Sequence, residues 1–177
     1  MTIEGTKRAS LAPNTKVYLA SSAYKDIHWE WLEEATKALE DNPTVSAIHV
    51  PWDYQFHGVS MHHDPTGEFG GEAWSRKTFF NDINAMGTSD VIVALISKEQ
   101  KDEGVYFELG WAFKDDTPII AVMLSEEGTI DEESEINLMV AQSVTYFTKD
   151  ISDLKDYNFN NLESNLLSDI GENFKTV

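Results

Sequence analysis

Residues 91–96 (VIVALI) and 119–124 (IIAVML) are two uninterrupted apolar runs, and no other feature limits the possible folds so tightly. A strand with one wet face alternates polar and apolar side chains. These runs do not alternate, so both faces of each must be covered, the condition of a buried strand in a parallel sheet. Parallel neighbours need a long crossover between them, usually a helix. The intervening stretch 102–112 (DEGVYFELGWA) supplies one. It opens with Asp and Gly, which suit a loop and a helix start. It then sets Val105, Leu109 and Ala112 at spacings of four and three, one helix face against a sheet. One carboxylate interrupts it: Glu108 lies between Phe107 and Leu109, with Trp111 close to one turn on. A glutamate on the solvent edge of an amphipathic helix is one reading. The other is a carboxylate held near the carboxyl edge of a parallel sheet, where open α/β folds place their ligands.

The rest of the chain supplies matching parts. Residues 16–20 read as a first strand, 21–24 as a tight turn, and Asp26 as the cap of a helix running to about Leu39. Residues 45–50 form a second strand, completing a βαβ unit with a right-handed crossover. Residues 72–86 read as a helix in which Asp82 sits among Phe79, Phe80, Ile83 and Met86, either snorkelling at an edge or buried with a task. A fourth strand is expected over 117–124, a helical turn over 137–141 and a short fifth strand over 144–147. Residues 1–14 read as a loose leader, and 150–177 as a tail that docks as a helix. The expectation is a single α/β domain over 1–177, with an open, mainly parallel five-stranded sheet and helices on both faces, of Rossmann or flavodoxin-like type.

Composition removes several functions. The chain carries 31 acidic against 13 basic residues, a net charge of −18, which repels nucleic-acid polymers and anionic membranes. It has no cysteine, so disulfide and thiolate chemistry are excluded. Residues 1–13 lack the apolar core of a signal peptide, and no run approaches the ~20 apolar residues of a membrane span. A cytoplasmic protein is the default. Glycine-rich phosphate loops and the G-x-S-x-G elbow are absent. The aperiodic stretch 51–71, with Trp52, Tyr54 and Phe56, has the length of a lid or binding loop. Its His57, His62 and His63 lack the i,i+4 pairing of a helical metal site, so neither metal nor cofactor is expected, and Gln55 and the aromatics are better ligand contacts. What remains is a set of carboxylates near strand ends, Asp82, Asp102 and Glu108, with Tyr18 inside the first strand.

Stretch 102–112 resembles the signature of the nucleoside 2-deoxyribosyltransferases. Segments 81–84 (NDIN), 54–58 (YQFHG), 136–139 (INLM) and 154–160 (LKDYNFN) also resemble family segments, in the family's order, so the likeness covers roughly 16–160. The resemblance implies transfer of 2-deoxyribose between nucleobases by double displacement, with retention and without a cofactor. The substrates it implies are 2′-deoxyribonucleosides and free nucleobases. By the same resemblance Glu108 is the nucleophile and Tyr18 its hydrogen-bond partner. Asp82 and Asp102 orient the base, one of them serving as proton donor, and Gln55 and Tyr24 contact it. Asn137 and Met139 reach the deoxyribose from a neighbouring subunit, which implies a homo-oligomer built from dimers with shared active sites. Two other readings stay open: an N-glycoside hydrolase of nucleosides or nucleotides, and a non-catalytic module that binds a nucleotide-like ligand or a protein.

Overall fold

The structure is a computed structural model that describes residues 14–128, 130, 134–171 and 174–177, so all of the expected leader except Asn14 lies outside it. In chain order the elements are β1 (Thr15–Ser21), α1 (Asp26–Glu40), β2 (Val45–His49), α2 (Glu72–Met86), β3 (Val91–Ser97), α3 (Glu103–Lys114) and β4 (Ile119–Leu124). Then come β5 (Glu135–Ile136), α4 (Leu138–Ser143), β6 (Tyr146–Thr148), α5 (Asp153–Asp156) and β7 (Lys175–Thr176). Five strands form one sheet in the order β2-β1-β3-β4-β6, and every neighbouring pair is parallel. This is the open α/β fold with a flavodoxin-like strand order, which reverses direction beside β1. The two apolar runs lie side by side as β3 and β4, and β3 is buried throughout.

Strand alternation splits the core in two. Val17, Leu19, Val93, Leu95, Ile120 and Val122 face one side, where α1 covers them with Trp31, Leu32, Ala35 and Leu39. Tyr18, Ala20, Ile92, Ala94, Ile119 and Ala121 face the other, under Val105, Leu109 and Ala112 of α3 and Met86 of α2. Register places Ala20 beside Ala94 and Ala94 beside Ala121. Three adjacent alanines, all fully buried, make a low floor across the sheet, on which α3 can settle without bulky side chains lifting it away.

Several local expectations need correction. Lys25, not Asp26, holds the cap position of α1; Asp26 begins the helix, where its carboxylate faces the positive end of the helix dipole. The last strand of the sheet is Tyr146–Thr148, two residues later in its start than the apolar pattern suggested. The C-terminal tail docks, but with only the one-turn α5, a 3-10 turn (Leu167–Ile170) and β7, which pairs with β5. Its backbone is held by side chains instead: Asn42 Nδ2 donates to the carbonyls of Leu154 and Tyr157, each at 2.7 Å, and Thr15 Oγ1 donates to that of Phe159 at 3.1 Å. A helix would need those carbonyls for its own ladder. Leu154, Tyr157 and Phe159 are buried as a result, whereas Leu166 is exposed.

The long stretch after β2 is also structured. It holds two 3-10 turns, Pro51–Tyr54 and Phe56–Gly58, and Trp74 Nε1 of α2 donates to the Val59 carbonyl at 3.0 Å. Asp64 gathers the tip by accepting from the backbone N–H of Gly67, Glu68 and Phe69.

The alanine floor yields a test. Ala94→Leu is expected to overpack the contact between β3 and α3 and destabilise the protein by about 1–3 kcal/mol. Denaturant unfolding would read this as a lower midpoint with an unchanged slope.

Candidate active site

Two pieces of local structure set the site. The first is β1. Tyr18 is completely buried, and its ring points to the α2 and α3 side of the sheet. A phenol in an apolar core needs a partner for its hydroxyl. The second is α3, whose N-cap is Asp102. Its Oδ1 accepts from the backbone N–H of Gly104 at 2.7 Å and of Val105 at 3.2 Å, which fixes where the helix starts. With Val105, Leu109 and Ala112 seated on the sheet, Glu108 falls on the flank of that face and meets Tyr18. The Tyr18 hydroxyl donates to Glu108 Oε1 at 2.5 Å.

Charge at this point is costly. Burial raises the Glu108 carboxyl to about 7; the hydrogen bond from Tyr18 opposes the rise, and the charges of Asp82 and Asp102 add to it. Tyr18 is pushed upward by burial first, then by the charge and hydrogen bond of Glu108, so the phenol keeps its proton and acts as donor. A cavity of about 260 Å³ opens over Glu108, walled by Trp74, Thr78, Phe79, Asp82 and Phe107.

Asp82 reaches this cavity from α2. Its Oδ1 is buried and has no hydrogen-bond partner among the described residues. The other expected residues are distributed unequally. Gln55 donates from Nε2 to the Pro51 carbonyl at 2.9 Å, while its buried Oε1 has no partner among the described residues. Tyr24 is exposed, and its hydroxyl is raised by burial first and then by the charges of Asp102 and Glu103. Asn137 caps α4 by accepting from the Met139 N–H at 2.9 Å, and Met139 is 73% exposed. Both line a separate apolar groove of about 530 Å³ between α3 and α4, with Tyr106, Leu109 and Phe113, rather than the Glu108 cavity. The chain therefore gathers Tyr18, Asp82 and Glu108, with Asp102 near enough to act on Glu108 by its charge, and leaves Asn137 and Met139 on another surface.

One residue at the site was not singled out in the sequence. His49, the last residue of β2, is the register partner of Tyr18. Its ring stacks on Tyr18 at 5.4 Å and on Tyr54 at 4.4 Å, and its Nε2 lies 3.8 Å from Asp82 Oδ1. The available signal was the βαβ unit, which makes β1 and β2 parallel neighbours and sets the end of β2 against the middle of β1. The loop histidines lie elsewhere: His57 Nδ1 is 3.4 Å from Glu68, and His62 packs edge-on against Trp29.

The family model described as nucleoside 2-deoxyribosyltransferase matches residues 17–139. The chain belongs to that family. Among its relatives is a nucleoside deoxyribosyltransferase of Limosilactobacillus fermentum, 40% identical over 157 residues, spanning 87% of this chain and 92% of the relative. Another, from Lactobacillus leichmannii, is 29% identical over 150 residues, 84% of this chain and 92% of the relative. A solved 2-deoxyribosyltransferase of Bacillus psychrosaccharolyticus superposes with a TM-score of 0.67 at 25% identity, covering 85% of this chain and 99% of that one. The protein is thus an enzyme, a nucleoside deoxyribosyltransferase of the pentosyl-transferring class. Among its described residues no helix is long and apolar enough to cross a membrane.

The raised Glu108 carboxyl links stability to pH. Folded, this group holds its proton up to about pH 7; unfolded, it releases it near pH ~4.3. The folded state binds the extra proton across that window, so stability falls as pH rises through it. Glu108→Gln removes the penalty. The variant is expected to match its parent at about pH 4 and to exceed it by about 1–3 kcal/mol at about pH 8, measured by denaturant unfolding at both values.

Proposed function

We propose that this transferase works by double displacement on the Glu108 carboxylate. The observation that carries the reading is the placement of Glu108: partly buried, facing a cavity, and held through one oxygen by the Tyr18 hydroxyl. Its other oxygen is left to attack. In the first step that oxygen bonds to C1′ of a 2′-deoxyribonucleoside. The bond from C1′ to the base nitrogen breaks, and its electron pair leaves with the base. The base takes up a proton, and a deoxyribosyl ester of Glu108 remains. In the second step a free nucleobase attacks C1′ from the face the first base left, gives up a proton, and Glu108 departs as carboxylate. Two inversions at C1′ amount to retention.

Tyr18 has a tuning role. A hydroxyl that donates to the carboxylate stabilises it as the leaving group of the second step and orients it for the first. Of the two aspartates, Asp102 spends Oδ1 on two backbone N–H groups at the start of α3. Asp82 lines the cavity and carries no backbone hydrogen bond among the described residues, which makes it the better proton donor, with Asp102 as a positioning group. Gln55, with its unpartnered Oε1, and Tyr24, next to Asp102, are the proposed base contacts. The substrates proposed, deoxyribonucleosides and free nucleobases, are uncharged, which suits a site rich in carboxylates.

Asn137 and Met139 are proposed to serve a neighbouring subunit. Leu138 and Met139, at the start of α4, are both exposed, and Met139 lines an apolar groove. Such a surface suits a second copy of the chain, giving a homo-oligomer of dimers that share active sites. The whole chain, 1–177, is proposed to act as one domain.

Incubation with 2′-deoxyuridine and adenine tests transfer, and 2′-deoxyinosine with adenine extends the test to a purine donor. Formation of 2′-deoxyadenosine from either donor is the expected result. Free base and deoxyribose with no new nucleoside would indicate an N-glycoside hydrolase. Glu108→Ala should lose at least ~1000-fold in kcat, because no nucleophile remains; activity above a tenth of the parent's would overturn the assignment. Tyr18→Phe should lose about 10–100-fold, the worth of one hydrogen bond to a charged group.

A further inference from the structure

The His49–Asp82 contact goes beyond these roles. His49 Nε2 and Asp82 Oδ1 are both buried, both lack a hydrogen-bond partner among the described residues, and lie 3.8 Å apart. An orphaned buried polar atom costs about 1–3 kcal/mol. Two of them facing each other, one on an imidazole and one on a carboxyl, relieve that cost by a rotation that shortens the gap to the ~2.9 Å of a hydrogen bond. Catalytic contacts are often loose before substrate binds and tighten in the complex.

The environment of His49 fixes its ring and supplies few rivals for the proton. Tyr18 from β1 and Tyr54 from the 3-10 turn lie against its two sides, at interplanar angles of 16° and 17°. Asp82 faces it from α2, and Lys16, two residues before Tyr18 on β1, lines the same small recess at its outer edge. Lys16 is exposed, so its ammonium is solvated. Among these, the imidazole is the group that can gain and lose a proton near neutral pH. It is joined to the nucleophile as well: the ring it stacks on belongs to Tyr18, whose hydroxyl holds Glu108.

We infer that His49 and Asp82 work as a pair that carries the proton exchanged with the nucleobase, His49 being a positioning residue that acts through Asp82. The inference rests on the transfer reading above. The proposed cycle starts with the proton on the imidazole and with Asp82 as its carboxylate partner. As the bond from C1′ to the base breaks, the proton moves from His49 to Asp82 and from Asp82 to a ring nitrogen of the base. The imidazole is then neutral, and the charge of Glu108 has been consumed in the ester. When the incoming base attacks, its proton returns through Asp82 to His49 and Glu108 regains its charge. The summed charge of the pair, Glu108 and the substrates is the same at the start and the end. The arrangement also answers a difficulty of the site: a cation on His49 offsets the crowding of Asp82 and Glu108.

Steady-state kinetics with 2′-deoxyinosine and adenine, from about pH 5 to about pH 9, test the pair. His49→Phe keeps a ring for the two stacks and removes the nitrogens. Its kcat is expected to fall about 10–100-fold with KM within about threefold, less than the ~100–10,000-fold of a direct general acid because Asp82 remains. The high-pH limb of kcat should move, because the imidazole that holds the proton in the parent is gone. His49→Gln restores a hydrogen-bond donor but no transferable proton, and should recover less than about threefold of the loss. A kcat within twofold of the parent's, a loss confined to KM, an unmoved pH limb, or full rescue by Gln would each overturn the inference. If His49→Phe does not fold, His49→Gln carries the same test, since its kcat and pH limb must still change. Failure of the transfer reading itself shows separately, as absence of a new nucleoside with the parent enzyme.

Discussion

The hydrogen bond from Tyr18 to Glu108 joins the sheet to the helix that crosses it, and both partners are placed by packing rather than by the bond. Tyr18 must point into the α3 side because Val17 and Leu19 occupy the other face of β1. Glu108 must approach because Val105, Leu109 and Ala112 fill the sheet-facing side of α3. The bond satisfies a phenol that would otherwise be an orphan in the core, and it limits the cost of a carboxylate that burial disfavours. Removing either partner leaves the other buried and unmatched. Structure and chemistry therefore draw on the same contact.

The fold makes this possible by letting α3 lie low. A parallel sheet covered on both faces has its helices at a distance set by the side chains between them. The row Ala20–Ala94–Ala121 leaves small side chains in register across the sheet under α3. On the opposite face the corresponding positions are Leu and Val, under α1. The face with the alanine row carries the site, and the other packs against α1 and the docked C-terminal segment.

The chain is strongly acidic overall, and the site repeats that excess locally with Asp82, Asp102 and Glu108. Each carboxylate has a different restraint. Asp102 is held by helix N–H groups, Glu108 by a phenol, and Asp82 faces an imidazole. Three groups of one chemical type thus stand in three different environments, the condition under which neighbouring carboxyls can differ in protonation.

How much of this could be read from the sequence depended on the range of the interaction. The apolar runs fixed β3 and β4 as buried parallel strands, because only a sheet covered on both faces accepts them. The spacing of Val105, Leu109 and Ala112 fixed α3, and Glu108 stood out against its apolar neighbours. Those are short-range facts of period and composition. The C-terminal tail was misread as a helix because its carbonyls are satisfied by Asn42 and Thr15, more than 100 positions away, and no local pattern records that. The loop after β2 had no period because its order comes from Asp64 and from Trp74 on α2. His49 lay at the end of an unremarkable edge strand. Only the register of β1 against β2 set it beside Tyr18, and only the packing of α2 set Asp82 opposite its ring. By itself the sequence determined the elements, the layers and the carboxylate on α3, since each follows from side-chain period. The tertiary structure alone decided which groups face that carboxylate, because distances between residues far apart in the chain are settled by strand register and helix seating.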